Sequence, residues 1–193
     1  MRTIMRTILS AAAVLMLASA PAQAEIIDSA GGGFATSHSA IVAADRDTVW
    51  EKLVHPEGWW SHTWSNDSAN LALDARAGGC MCETIPGVDG YPDGSVEHMR
   101  VVAVFPAAML RMVGALGPLQ SEGLTGTLTV TLTDQAIGTG IVWHYVIGGQ
   151  SRMPLDQLAP AVDAVQLEFL NGLVEALGGR IDSPLESPAS PEE

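Results

Sequence analysis

The sequence predicts an α+β domain, a curved antiparallel sheet with one long C-terminal helix laid across it. Three observations carry this. Residues 124–133 (LTGTLTVTLT) alternate leucine or valine with threonine, the period of a strand with one buried face. Residues 139–148 (TGIVWHYVIG) form a second β-rich run close behind it, so the two read as a hairpin. Leu158, Val162, Val165, Phe169 and Leu173 then recur at helical spacing, and Leu170, Val174 and Leu177 widen the stripe. A stripe this wide suits a helix that packs on a sheet and also covers a cavity.

The elements follow in order. Residues 1–24 read as a secretory leader. Arg2 and Arg6 precede an apolar run from Ile8 to Leu17, and Ala22-Gln23-Ala24 supplies the small residues of a cleavage site. The apolar run is shorter than the roughly 20 residues of a membrane span. Glu25, not a cysteine, directly follows Ala24, so a lipid anchor there is not expected. The expectation is a periplasmic or secreted protein beginning at Glu25, without stable membrane anchoring. Residues 25–33 hold a glycine triplet and read as a flexible lead-in.

Residues 34–180 form the domain. A strand over 34–43 is followed by Asp45-Arg46-Asp47, which opens a short helix carrying Val49, Trp50, Leu53 and Val54. His55-Pro56 should end it, because the residue before proline is pushed out of the α region. Residues 57–64, with Trp59, Trp60 and Trp64, read as a second short helix and loop. Strands over 70–74 and 79–85 are divided by Ala77-Gly78-Gly79, and a turn-rich loop covers 86–94. A strand over 95–105 stops at Pro106, and another covers 110–115. Both parities of residues 95–105 carry apolar and charged groups, so its facing stays open. Gly178-Gly179 ends the closing helix. Residues 181–193, acidic and proline-rich, should be disordered.

The formal net charge is −13, and it becomes more negative once Arg2 and Arg6 leave with a leader. Such a surface repels phosphate backbones and anionic lipid, which disfavours nucleic-acid and membrane-surface binding. The two cysteines, Cys80 and Cys82, are two residues apart on a strand. Regular strand geometry sets their Cα atoms about 6.5–7 Å apart, at or beyond the disulfide limit. A reduced, packed pair is expected, with a strained bridge as the alternative.

Further landmarks carry a resemblance. They are Ala43-Ala44-Asp45-Arg46-Asp47-Thr48-Val49-Trp50, His55-Pro56-Glu57-Gly58-Trp59-Trp60, Gly78-Gly79 ahead of Glu83, and Arg100-Val101-Val102 leading to Pro106 and Leu110-Arg111. Gly117-Pro118-Leu119, Gly138-Thr139 before a strand ending at Gly148, and Val162-Asp163 complete them. In this order they resemble the helix-grip superfamily (START-like or Bet v 1-like, also called SRPBCC). The nearest pattern is that of the bacterial polyketide-cyclase and Hsp90-ATPase-activator-like proteins. The resemblance implies about seven strands gripping the C-terminal helix around an apolar pocket. It carries over no catalytic residue set, because one such fold hosts binders, cyclases and dehydratases alike.

Candidate ligand contacts are Trp59, Trp60 and Trp64 at an entrance, Leu128, Val130, Trp143 and Tyr145 on the strands, and Val162, Val165, Gln166 and Phe169 on the helix. Aromatic and apolar walls are what small-molecule pockets use, although ordinary core packing explains the same residues. The Tyr145 hydroxyl needs a partner, either a ligand or Gln166. Glu83, His98, Arg100 and Asp163 are the ionisable groups best placed to reach an interior. Cys80, Cys82, His98 and His144 lack the usual zinc spacings, so no metal and no cofactor are expected. No Ser–His–Asp arrangement, phosphate loop or close carboxylate pair stands out. The expected function is non-catalytic carriage of a small hydrophobic molecule. The alternatives are a cyclase- or dehydratase-like enzyme using His98, Glu83 or Asp163, and, more weakly, a thiol or metal protein built on the cysteines.

Overall fold

The computed structural model describes residues 25–29 and 32–181; residues 1–24, read as a leader, and residues 182–193 of the expected acidic tail lie outside them. Eight strands form one antiparallel sheet: β1 (Glu25–Ser29), β2 (Gly33–Val42), β3 (Leu71–Leu73), β4 (Cys80–Ile85), β5 (Gly94–Phe105), β6 (Met109–Val113), β7 (Gly123–Gln135) and β8 (Gly138–Gln150). Their spatial order is β1-β2-β8-β7-β6-β5-β4-β3. The short helix α1 (Arg46–Leu53) and a 3-10 turn at Ser68–Asn70 follow β2, and α2 (Leu155–Ala176) closes the chain. This is the helix-grip arrangement, with seven strands from Gly33 onward and a further edge strand before them. Residues 25–29, read as part of a flexible lead-in, pair with residues 33–37 of β2.

Local chemistry accounts for these elements. The Asp45 carboxylate accepts from the Thr48 N–H at 2.8 Å and caps α1. The helix ends at Leu53, just before His55-Pro56. The tryptophan-rich segment is a correction: it forms turns and loop rather than a helix. Gly58 there has a positive φ of 91°, which stops helix propagation. Pro160 lies inside α2, in its second turn. The helix runs through it because its apolar stripe packs on the sheet, outweighing one lost backbone bond.

The core lies between the concave face of the sheet and α2. Leu128, Val130, Leu132, Ile141, Trp143, Tyr145 and Ile147 alternate inward from β7 and β8 and are essentially buried. Leu170 and Leu173 meet them from the helix and are fully buried as well. Two polar ties fix the helix on the sheet. The Trp143 Nε1–H donates to Gln166 Oε1 at 2.8 Å, and His38 of β2 lies 2.8 Å from the Asp163 carboxylate. The Tyr145 hydroxyl donates to the Gly114 carbonyl at 3.1 Å, not to Gln166. Gly126 makes this possible, since a side chain there would collide with the Tyr145 ring. Among the described residues, no helix is long and apolar enough to cross a membrane.

The cysteines depart from expectation. Cys80 and Cys82 are disulfide-bonded, with Cα atoms 5.4 Å apart. The reason is a register shift between Met81 and Cys82, where the β4–β5 ladder is bulged. The regular strand spacing therefore does not apply, and the Cα distance falls within ordinary disulfide range.

Candidate functional site

The bulge also settles the facing of β5. Met81 pairs with Met99 and Cys82 with Glu97, so His98 is an extra residue on its strand. Both His98 and Met99 consequently face inward, at 2 % and 0 % exposure, while Glu97 and Arg100 stay outside as an ion pair. A bulge that re-aims one side chain is a common device beside functional sites.

Inside, the His98 Nε2 lies 2.7 Å from Glu83 Oε2, and both side chains are almost fully buried. Glu83 also accepts the main-chain N–H groups of Trp64 at 3.0 Å and Ser65 at 2.5 Å. Burial pushes the Glu83 carboxyl up. The hydrogen bonds from Ser65, Trp64 and His98 together outweigh it and hold the group below its ordinary value. An ionised Glu83 is acceptor-only, so the hydrogen between the two belongs to Nε2. His98 Nδ1 has no partner among the described residues.

His98 forms part of the wall of a cleft of about 410 Å³. One side is the outer half of α2: Leu158, Ala161, Val162, Val165, Gln166 and Phe169. Facing it is the β6–β7 connection, which contributes Leu116, Pro118, Leu119, Ser121 and Glu122. Gly117 starts a 3-10 turn there with φ +54°, and Pro118 sets the first turn position, which folds the buried Leu119 inward. Arg152 clasps the far end of this connection. Its main-chain N–H, Nε and Nη2 donate to Glu122 at 2.9, 3.0 and 2.6 Å. Those hydrogen bonds keep the Glu122 carboxyl below its usual range.

Trp60 and His62 complete the wall. The Trp60 ring stacks on Phe169 with centroids 3.9 Å apart, and its indole N–H is buried without a partner. His62 adopts φ +57°, meets Phe169 edge-on, and lies 2.9 Å from Glu168.

The expected ligand contacts thus divide. Trp60, Val162, Val165, Gln166 and Phe169 line the cleft. Leu128, Val130, Trp143 and Tyr145 belong to the solid core instead. The Trp59 indole donates to the carbonyls of Lys52 and His55 and packs beside Trp60. Trp64 is half-exposed and meets Glu83 only through its main chain. Of the ionisable candidates, Glu83 and His98 are interior, Asp163 pairs with His38, and Arg100 is exposed. Sequence reasoning missed residues 116–122 as a cleft wall. Their Gly-Pro turn with flanking leucines was the available signal. The Cys80 and Cys82 sulfurs and the Glu97 carboxylate lie within 4.8 Å of one another, but the disulfide leaves no thiolate to ligate a metal.

No family model and no curated protein matches the chain. Solved structures do. An uncharacterised protein from Rhizobium leguminosarum is 14 % identical, with TM-score 0.54, covering 75 % of this chain and 95 % of that one. CalU16 from Micromonospora echinospora is 14 % identical, with TM-score 0.55, over 84 % and 88 %. Protein SA2116 from Staphylococcus aureus, of unknown function, is 11 % identical, with TM-score 0.56, over 76 % and 94 %. At these identities the likeness is one of fold: a sheet closed by a C-terminal helix, shared across distant bacteria.

Proposed function

We propose that this chain is a member of the helix-grip superfamily that binds a small hydrophobic molecule in the cleft between α2 and residues 116–122, as a periplasmic or secreted carrier. The observation that carries the reading is the cleft itself. Its walls are largely apolar side chains, and its volume falls within the range of small-molecule sites. The unpartnered Trp60 N–H adds a donor that the protein leaves unused. The acidic surface argues for neutral ligands over nucleic acid.

Binding is tested with an apolar fluorescent probe on the purified protein. Val165 stands on the cleft wall and is only partly buried. Val165→Trp should therefore weaken probe binding about tenfold while costing less than about 1 kcal/mol in stability. Unchanged binding in this variant, or no binding to the native protein, defeats the reading. Intact mass of the product from a secreting host tests the export proposal, with a chain beginning at Glu25 as the expected result.

The buried His98–Glu83 pair favours a second reading, proton transfer of the cyclase or dehydratase type. The two readings part on the fate of the ligand. A carrier returns it unchanged after prolonged incubation, and an enzyme does not.

A further inference from the structure

We propose that the Cys80–Cys82 disulfide is a thiol–disulfide exchange site whose substrate is a dithiol, and that the β4–β5 bulge carries its redox state to His98. Neither half depends on what the cleft binds.

A bridge that serves stability alone joins elements distant in the chain. This one joins two residues of a single strand, ties no second element, and closes a ring too small to gain much chain entropy. Its surroundings are those of a reactive pair. Both cysteines are partly exposed on the outer face of β4, whereas Met81 and Glu83 point inward and are buried. Arg100 stands opposite Cys80 in the ladder, and Glu97 opposite Cys82. The Arg100 guanidinium donates to the Gly78 carbonyl at 3.1 Å and to the Glu97 carboxylate. That carboxylate lies within 4.8 Å of both sulfurs. A permanent cation therefore stands beside the pair and neutralises the one acidic group against it. Access and a neighbouring cation are what favour thiolate chemistry.

The exchange runs in two displacements. One thiolate of the dithiol attacks Cys82 Sγ, and a mixed disulfide forms. The S–S bond of the protein breaks, and its electron pair leaves on Cys80 Sγ, opposite Arg100. The second thiolate of the dithiol then attacks its partner sulfur in the mixed disulfide and releases Cys82 Sγ. The protein gains two electrons, the two protons of the dithiol pass to the cysteines, and the dithiol becomes a disulfide.

The bulge is where this reaction meets the interior. Strand β4 takes two steps from Cys80 to Cys82, while β5 takes three from Arg100 to Glu97. The bridge holds the Cα atoms of the cysteines at 5.4 Å. An unbridged extended pair spans about 6.5–7 Å. Bridge and extra residue thus act in the same sense. Each makes β5 long relative to β4, and the surplus is taken up in the arch that turns His98 inward against Glu83. Reduction frees β4 to lengthen, the arch flattens, and the imidazole shifts on Glu83.

Reduction of the folded protein by dithiothreitol, followed by thiol alkylation and intact mass, tests the exchange site. The native rate should fall within about a hundredfold of the rate for the urea-unfolded chain. Greater protection, as for a bridge opened only by unfolding, overturns the site. Arg100→Gln should slow native reduction about tenfold, and Arg100→Lys should restore it. An unchanged rate in Arg100→Gln overturns the part given to the cation. ¹⁵N-histidine spectra of the oxidised and reduced protein test the coupling. The His98 ring signals should move on reduction, while those of His38 on β2 and His144 on β8 stay. Unmoved His98 signals overturn the coupling and leave the exchange site standing. The double variant Cys80→Ser/Cys82→Ser should give the reduced His98 signals with or without dithiothreitol. If it gives those of the oxidised protein instead, the bridge does not set the arch and the coupling falls. Should that variant not fold, the reduced wild-type spectrum decides alone.

Discussion

The two ends of α2 do different work with the same kind of surface. Toward its C-terminus, Leu170 and Leu173 are fully buried in the sheet among leucine, valine and isoleucine. Toward its N-terminus, Leu158, Val162 and Val165 continue the stripe, but residues 116–122 stand off and leave a cleft. Phe169 lies at the junction, buried at 2 % exposure, stacked on Trp60 and lining the cleft. An apolar helical stripe therefore specifies burial without specifying what covers it. Whether a position is core or cleft wall is decided by the partner segment, here a Gly-Pro turn far away in sequence.

The largest test of this division is at the junction. Phe169→Ala should cost about 3–5 kcal/mol in denaturant unfolding and also change probe binding. Leu128→Ala, in the solid region, should cost about 2–5 kcal/mol with probe affinity unaltered in the folded protein. Loss of probe binding in Leu128→Ala would erase the distinction between the two ends.

Glu83 gives a smaller effect with a pH signature. Its folded-state pKa is depressed from 4.5, so its contribution is complete above that value and is lost as pH falls through the lower folded value. Glu83→Gln should cost about 2 kcal/mol at neutral pH. Its stability should fall less than that of wild type on acidification below about 4.5. Parallel acid profiles for the two proteins would contradict the charged hydrogen-bonded state of Glu83.

The disulfide lies on the opposite face of β4 from Glu83, outside the cleft. It closes a ring of only three residues, for which the chain-entropy relation gives about 1.5 kcal/mol. Replacing both cysteines with alanine should cost about that much by thermal unfolding and leave the fold intact. Loss of the fold would make the bridge a requirement of the bulge. Trp64→Ala should do least, within about 0.5 kcal/mol, since the residue is half-exposed and the N–H to Glu83 is retained. A marked drop in probe affinity in that variant would restore Trp64 to the entrance.

Much of the fold was legible because its signals are periodic. The leucine–threonine alternation of β7 and the stripe of α2 each report one repeating geometry, and both stand as read. The bulge is aperiodic. Along β5 it makes His98 and Met99 neighbours on one face, which no alternation pattern can express. That one irregularity concealed the facing of the strand, the inward histidine and the closeness of the cysteines. The cleft was half legible for a related reason. Its helix wall is periodic, whereas its opposing wall is a turn whose position depends on the Arg152–Glu122 clasp. Trp143 and Tyr145 were rightly placed inside. Only the hydrogen-bond geometry shows that Trp143 holds Gln166 and that Tyr145 reaches Gly114.

The ladder around His98 has an arithmetical consequence. Cys82 opposes Glu97, Met81 opposes Met99, and no residue of β4 opposes the histidine. Excising residue 98 would close the strands into an unbroken zipper in which each neighbour keeps its present mate. The imidazole is thus supernumerary to the architecture. The sheet would be more regular without it, and the chain carries it all the same.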